Sequence, residues 1–488
     1  MRKHAFRIGH PDKYQDKWWV MLVVGMGTFM GTLNSSIANI SLPTISNYFQ
    51  VKLSLVAWVM MVYLLTTSSL LITFGRLSDM VGRKLIYSSG FLVFTCGTIL
   101  CSVSGGIYQL IFFRVIQATG GAMMVSNSAA LITSAFPDKE RGKALGIMGG
   151  IVALGLTCGP PLGGIILEEL GWRWIFYVNI PVGIVGFLLA MLILKKKPTL
   201  FLGRRFDIKG AFFLACAMIL LLLVLNQWQN VGWGVPSTHW LFAGFLFFGT
   251  LFLVTESKSK DPIIQLSFFR HRIFGIGNLC VFLVYLSHFS VIFLMPFYLT
   301  RVLELSPSQM GWILITVPLC LSVVAPFSGW LSDKIGTRLL TTFGLSLAGF
   351  SILSILQLGV NSNYRDVVFR LILLGLGTGM FYSPNNSAIM GSVSKEDYGR
   401  AAGVLATMRN LGMAMGISVA SLIFTSSENH YLSQLQEKAL ENPFLPKIAF
   451  AQAFHNVYIV TGVVCLVGAF LSYLRGESKA KYSEMLQD

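Results

Sequence analysis

The chain has 488 residues, of which 54% are hydrophobic, 13% aromatic and only 12% charged, with a formal net charge of +16 and a mean hydropathy of +0.68. That balance excludes an ordinary soluble domain. It also makes a nucleic-acid partner the wrong reading of the basic charge, which falls in the segments between apolar runs and sets topology there.

Runs of roughly 20 apolar residues, the length that crosses a hydrocarbon core, predict fourteen spans. They lie at residues 18–41, 53–75, 85–104, 107–134, 143–168, 172–194, 208–227, 239–256, 273–297, 308–330, 339–358, 366–391, 401–425 and 453–474. The first seventeen residues are polar and charged, and the apolar stretch behind them is full length. A retained first span and no cleavable signal are therefore expected, with Trp18 and Trp19 anchoring that span at the interface. With both termini cytoplasmic, about 28 of the 37 Lys and Arg fall in inner segments, about seven near outer ends, and two, Arg114 and Arg409, deep in spans.

In chain order, span one carries Asn34 just ahead of I-A-N-I-S-L-P, and span two carries Trp58 and Tyr63. The phrase G-R-L-S-D-M-V-G-R-K follows, from Gly75 to Lys84, and reads as a short polar turn. Gly82 permits a tight reversal. Asp79 is placed to accept hydrogen bonds from the amides opening the next helix, or to pair with Arg83. Such a charged turn can latch neighbouring spans in one conformational state and release them in another.

Span four holds Arg114 and Gln117. A charge near mid-bilayer is costly unless it meets water or a partner, so Arg114 is expected to face a central cavity. There it binds an anionic part of a substrate or tunes a proton site; the alternative is a structural arginine satisfied by carbonyls and side chains. In span five, Gly155, Gly159 and Gly163 recur every four residues beside Pro160 and Gly164. They offer a close helix contact with a bend, either a seal between halves or static packing. Lys195, Lys196, Lys197, Arg204 and Arg205 then form a basic inner loop suited to anionic headgroups.

Span nine carries His288, the one titratable group at mid-depth other than the arginines, followed by Phe297 and Tyr298. His288 either carries the coupling proton or is a hydrogen-bonding histidine on a packed or cavity face. A second phrase, G-W-L-S-D-K-I-G-T-R from Gly329 to Arg338, repeats the first about 254 residues later, with Asp333 and Gly336 at the corresponding places. Span twelve has Arg370 towards its outer part, and span thirteen has Arg409 beside Asn410. With Trp58, Tyr63, Phe297 and Tyr298, these offer aromatic and amide surface for a bulky amphipathic ligand, although for each ring taken singly plain core or lipid contact is the leading reading. All seven cysteines lie in predicted spans, with no C-x-x-C pair and no His at ligand spacing. Neither disulfides, a metal site nor a cofactor is expected.

The repeat extends beyond the two phrases. Pro43 matches Pro296, Phe113-Arg114 matches Phe369-Arg370, Asn127-Ser128-Ala129 matches Asn386-Ser387-Ala388, and Gly142 with Gly146 matches Gly399 with Gly403. Six spans thus repeat as six, with spans seven and eight inserted. The predicted domains are 1–194, an N-terminal six-helix bundle; 195–260, the basic loop and inserted pair; and 261–488, a C-terminal six-helix bundle.

On these residues the chain resembles the major facilitator superfamily, and within it the fourteen-span drug:proton antiporter group. The Gly75–Lys84 phrase looks like the family's loop between spans two and three, with Met80 where a basic residue is usual. Arg114, Gln117, Gly120, Gly121 and Ala122 resemble its fourth-span motif, with Ala118 where glycine is common; Gly155, Gly159, Pro160, Gly163 and Gly164 match its fifth-span antiporter motif. The stretch W-R-W-I-F-Y-V-N-I-P-V-G, from Trp172 to Gly183, is similar to the fourteen-span group's own signature. The resemblance implies an all-α membrane protein with the major facilitator fold, two six-helix bundles plus two inserted helices. It implies proton-coupled export of an amphipathic small molecule across the cytoplasmic membrane by alternating access, as a monomer among membrane lipids.

One departure bears on mechanism. The group commonly carries an aspartate in span one where this chain has Asn34. Glu168, Glu169, Asp207 and Glu256 sit at span ends, and Asp79 and Asp333 in inner loops. Under the repeat, His288 falls within about one residue of the position matching Asn34. With embedded arginines and no embedded carboxylate, an anionic cargo such as a siderophore, organic acid or lipid is the second reading. No clustered nucleophile and base is found, and the outer segment at 426–450 is too short for a catalytic domain, so the chain is read as no enzyme.

Overall fold

The computed structural model describes residues 16–195, 208–231, 235–258, 265–394, 397–435 and 445–476, and it is built from helices. A bilayer offers backbone amides no water, and helices satisfy them internally. In the first half these are α1 (Asp16–Ile40), α2 (Leu42–Phe49), α3 (Leu53–Val81), α4 (Arg83–Ser102), α5 (Ile107–Ala135), α6 (Arg141–Glu169), α7 (Trp174–Tyr177) and α8 (Asn179–Ile193). The inserted pair is α9 (Ile208–Val231) and α10 (Pro236–Lys258). The second half has α11 (Arg272–Arg301), α12 (Pro307–Leu314), α13 (Thr316–Ile335), α14 (Thr337–Ser354), α15 (Tyr364–Met390), α16 (Tyr398–Leu435) and α17 (Leu445–Leu474).

Among the described residues, thirteen segments are long and apolar enough to cross a membrane, with α7–α8 and α12–α13 each counted as one. Helix α9 occupies the place of the other expected span: its 24 residues reach about 36 Å, with Phe212–Leu221 as its apolar stretch. It pairs with α10 and leans on α3 and α16. Of the basic loop, Lys195 pairs with Asp16, while Lys196, Lys197, Arg204 and Arg205 lie outside the described residues. The seven cysteines are all free; Cys101, Cys280 and Cys465 are buried, whereas Cys96 is exposed.

The two repeated phrases are more helical than a polar turn. Helix α3 runs on to Val81 and α13 to Ile335, so the reversal shrinks to one residue, Gly82 at φ 114° and Gly336 at φ 86°. In the first phrase Asp79 pairs with Arg83 across the reversal, and in both only glycine takes the positive φ at little cost.

Close glycine contacts repeat between the halves and fix their register. A Cβ on Gly90 would stand 3.1 Å from the Gly120 carbonyl, and one on Gly344 would stand 2.7 Å from the Gly377 carbonyl. Likewise Gly155 approaches the Phe29 carbonyl and Gly412 that of Phe282. In this register Arg114 corresponds to Leu371 rather than Arg370. Similarly Ser126, which faces Gly75, corresponds to Ser383, which faces Gly329, so Asn127 corresponds to Pro384 rather than Asn386. The sequence match at Asn386 fails on helical phase, since Asn127 is buried and Asn386 exposed. Asn34 corresponds to Ser287, with His288 one residue on.

The halves meet at the end of the bundle opposite the described termini, called here the far end. There a Cβ on Gly164 would run into the Pro307 carbonyl, and one on Gly311 into the Pro160 carbonyl. The Glu168 carboxylate accepts from Ser306 Oγ and from the Ser308 amide at the start of α12, both at 2.9 Å. Asn39 Nδ2 on α1 donates to the Ile292 carbonyl on α11 at 2.9 Å, and one apolar core runs through both halves. Towards the terminal end, by contrast, Gly142, Gly146, Gly149 and Gly150 of α6 and Gly399 of α16 have open space where a Cβ would stand. The span-five stripe divides its work accordingly. Gly155, Gly159 and Gly163 seat α1 of their own half, through Thr32, Ser36, Ile37 and Ile40, and the contact between halves falls to Pro160 and Gly164.

Candidate functional site

Two polar groups inside the bundle, one in each half, gather most of the candidate residues. In the first, Arg114 on α5 is fully buried, which corrects the expectation that it opens onto a cavity. Its Nε donates to the Val59 carbonyl at 3.1 Å and its Nη1 to Gln117 Oε1 at 2.6 Å. The guanidinium carbon also stands 4.4 Å from the Tyr63 ring centroid, a cation–π distance. Gln117 Nε2 in turn donates to Thr98 Oγ1 at 2.8 Å and to Asn34 Oδ1 at 3.2 Å. Asn34, Tyr63, Arg114 and Gln117, chosen separately in the sequence, are thus one connected network, extended by Thr98. Asn34 Nδ2 and Arg114 Nη2 are left without partners inside it.

The second group sits in the other half. His288 on α11 is buried, its Nδ1 unpartnered, with its ring 6.4 Å from Tyr382 and 6.1 Å from Phe289. Tyr382 on α15 stacks on Tyr285 of α11, centroids 4.8 Å apart and planes within 12°. Arg409 lies within hydrogen-bond reach of the Tyr285 phenol and is exposed, although it lies roughly 17 Å along α16. Its neighbour Asn410 is buried.

The remaining sequence candidates go elsewhere. Phe297 and Tyr298 are fully buried and offer a ligand no surface. Tyr298 stacks on Phe454 at 4.7 Å and donates to the Gly359 carbonyl at 2.8 Å. Trp58 is half-buried in the shared apolar core. Arg370 caps the far end of its own half, donating to the Ser354 carbonyl and Gln357. In the first phrase Arg83 binds Asp79 through Nε and Nη2 at 3.1 and 2.9 Å and reaches the Ala130 carbonyl, and Lys84 donates to the Met191 carbonyl. In the second, Arg338 turns instead to the Tyr473 carbonyl at 2.7 Å.

Sequence reading missed Tyr285, Tyr382 and Arg475. Tyr285 was within reach, because it lies one helical turn before His288. Arg475 is buried where α17 ends, and donates to Asn385 at 2.6 Å and Thr337 at 3.1 Å, tying three helices together.

Two repeated helical bundles, joined at one end and carrying embedded polar groups, are the build of a membrane transporter. The chain belongs to the Major Facilitator Superfamily, whose family model matches residues 24–276 and again 277–485. It is 34% identical to the riboflavin transporter RibZ of Clostridioides difficile (strain 630), over 94% of this chain and 97% of that one. It is 29% identical to the multidrug transporter protein MdtP of Bacillus subtilis (strain 168), over 85% and 76%, and 26% identical to the multidrug export protein EmrB of Escherichia coli (strain K12), over 89% and 84%. In fold it is similar to a bacterial homologue of the human lysosomal transporter Spinster in an inward-facing, occupied conformation, with TM-score 0.68 at 16% identity over 96% and 97% of the two chains. A peptide transporter solved with sulfate aligns at TM-score 0.65 and 16% identity over 98% of each chain. The family and these relatives are transporters, not enzymes.

Proposed function

We propose that this chain is a monomeric secondary active transporter of the cytoplasmic membrane, with both termini inside, that exports an amphipathic small molecule by proton-coupled alternating access. The observation that carries the reading is Arg409, exposed at mid-depth in a bundle whose halves are joined at the far end. A guanidinium at that depth needs water or a partner, and an inward-open vestibule supplies water. Relatives named for multidrug export and for riboflavin transport support a bulky ring-bearing cargo. The second reading, an anionic cargo, is favoured by Arg409 and by the lack of Asp or Glu in the middle of the described spans. Proteoliposomes with imposed pH and voltage gradients, tested with cationic, neutral and anionic compounds, decide between the two. Failure of every compound to move refutes export.

His288 is the proposed coupling residue, facing Tyr382 of α15 and Phe289 of its own helix, with Arg409 of α16 acting on the same tyrosines. His288→Gln is expected to lower pH-gradient-driven transport at least tenfold while leaving counterflow exchange within about threefold; undiminished gradient-driven transport refutes the role.

The Asp79–Arg83 pair is proposed as one state of the latch, holding the α3–α4 reversal against α5. Asp79→Asn is expected to change the ratio of far-end-open to terminal-end-open molecules at least threefold, read by electron–electron resonance distances, and an unchanged ratio removes the latch.

A further inference from the structure

We propose that the Tyr285–Tyr382 stack, with Arg409 and His288 close by, is the platform on which the substrate's flat conjugated ring docks, and that this ring carries carbonyl or anionic acceptors rather than a cation. The inference rests on the transport reading above and narrows it to a substrate class and a set of residues.

The stack is made by two helices: Tyr285 comes from α11 and Tyr382 from α15, and both rings are only half-buried. At 4.8 Å between centroids the pair is already in contact, so a ligand ring adds to an open face rather than between them. An extended aromatic face held at a fixed angle favours a planar partner over a globular aliphatic one of equal size, because only the planar one covers the whole face. Phe289, 6.3 Å from Tyr285 and tilted 39°, gives the platform a side wall.

The charge is equally selective. The three embedded arginines are used differently: Arg114 and Arg475 are buried, whereas Arg409 is exposed, lies within hydrogen-bond reach of the Tyr285 phenol and forms no ion pair among the described residues. A guanidinium fork near the phenol of a stacked tyrosine matches paired oxygen acceptors on a ligand ring edge. It repels a ligand cation, and no mid-span carboxylate among the described residues offsets that repulsion. His288 adds a buried ring nitrogen, Nδ1, that has no partner within the protein. A buried polar atom left unpaired is costly, and a ligand reaching it removes that cost.

Binding to the purified full-length protein tests this with three probes of similar size: 9-anthracenecarboxylate, planar and anionic; 9-(aminomethyl)anthracene, planar and cationic; and 1-adamantanecarboxylate, anionic and globular. The planar anion is expected to bind at least tenfold more tightly than either of the others. Tyr382→Leu should weaken it at least tenfold and Tyr382→Phe, which keeps the ring, less than threefold. Arg409→Gln should erase the preference for anion over cation. Monodisperse elution of each variant separates lost binding from lost folding. Equal binding of the three probes, or wild-type binding by folded Tyr382→Leu and Arg409→Gln proteins, overturns the platform. Transport of any compound by the same wild-type protein in liposomes then shows that the export reading survives the loss.

Discussion

Leucine in place of Gly164 is expected to stop transport, by at least tenfold, in a protein whose two halves remain folded. The α6–α12 contact at the far end is backbone against backbone: a Cβ at Gly164 meets the Pro307 carbonyl, and one at Gly311 meets the Pro160 carbonyl. Backbone in a packed helix cannot step aside as a flexible side-chain tip can. The two bodies must therefore part, and parting also breaks the Glu168 contacts to Ser306 and Ser308. Each half keeps its own glycine-to-carbonyl seams at Gly90, Gly120, Gly344 and Gly377, so its internal packing is untouched. The equilibrium then shifts towards molecules open at the far end; a hundredfold shift corresponds to about 2.7 kcal/mol, within the roughly 1–3 kcal/mol that a forced clash typically costs. Spin labels at Val103 and Asn361, on far-end segments of the two halves, should report a longer distance in Gly164→Leu than in wild type. Gly311→Leu should do the same from the opposite helix. Wild-type transport with wild-type distances in both variants would remove this contact from the cycle.

That contact illustrates how far the sequence can be read. The spacing of Gly155, Gly159 and Gly163 announces a close helix seam, because small residues four apart share a face. It does not say which helix closes on that face. The structure gives the stripe to α1 and leaves the meeting of halves to Pro160 and Gly164, a quarter-turn away. The same blindness explains Arg114. In a span that is apolar on every side, periodicity cannot rank faces, and the one charged residue is drawn to an imagined cavity when a buried carbonyl, an amide and a tyrosine face lie nearer. Tyr285 and Tyr382 escaped for a statistical reason: among 15 tyrosines, 37 phenylalanines and 10 tryptophans, none stands out by type. Only the packing of α11 on α15 stacks these two. Where backbone stereochemistry decides, the reading was sharper, as with Gly82 and Gly336 at the two reversals, although the helices on either side grew to within one residue of them.

Arg114→Gln is expected to destabilise the first half by about 3 kcal/mol and to reduce transport at least tenfold, because a buried hydrogen bond to a charged group contributes about 1.5–3 kcal/mol and the packing against Tyr63 is lost with it. Equilibrium unfolding in mixed micelles measures the first effect and proteoliposome flux the second. Arg114→Lys separates charge from geometry. Lysine keeps the charge, but a single ammonium cannot both donate along the Nε direction to the Val59 carbonyl and reach Gln117 while lying flat against Tyr63. It should therefore lose nearly as much as glutamine; a lysine variant with wild-type stability and flux would assign Arg114 to its charge alone. Gln117→Ala completes the test. If the Asn34–Gln117–Arg114 chain is one unit, Arg114→Gln and Gln117→Ala together should cost less than the sum of the two alone, by at least 1 kcal/mol in a double-mutant cycle. Additive losses would mean that Gln117 is held by Thr98 and Asn34 alone, and that Asn34, at the position where the related group carries an acid, has no line through it to the buried arginine.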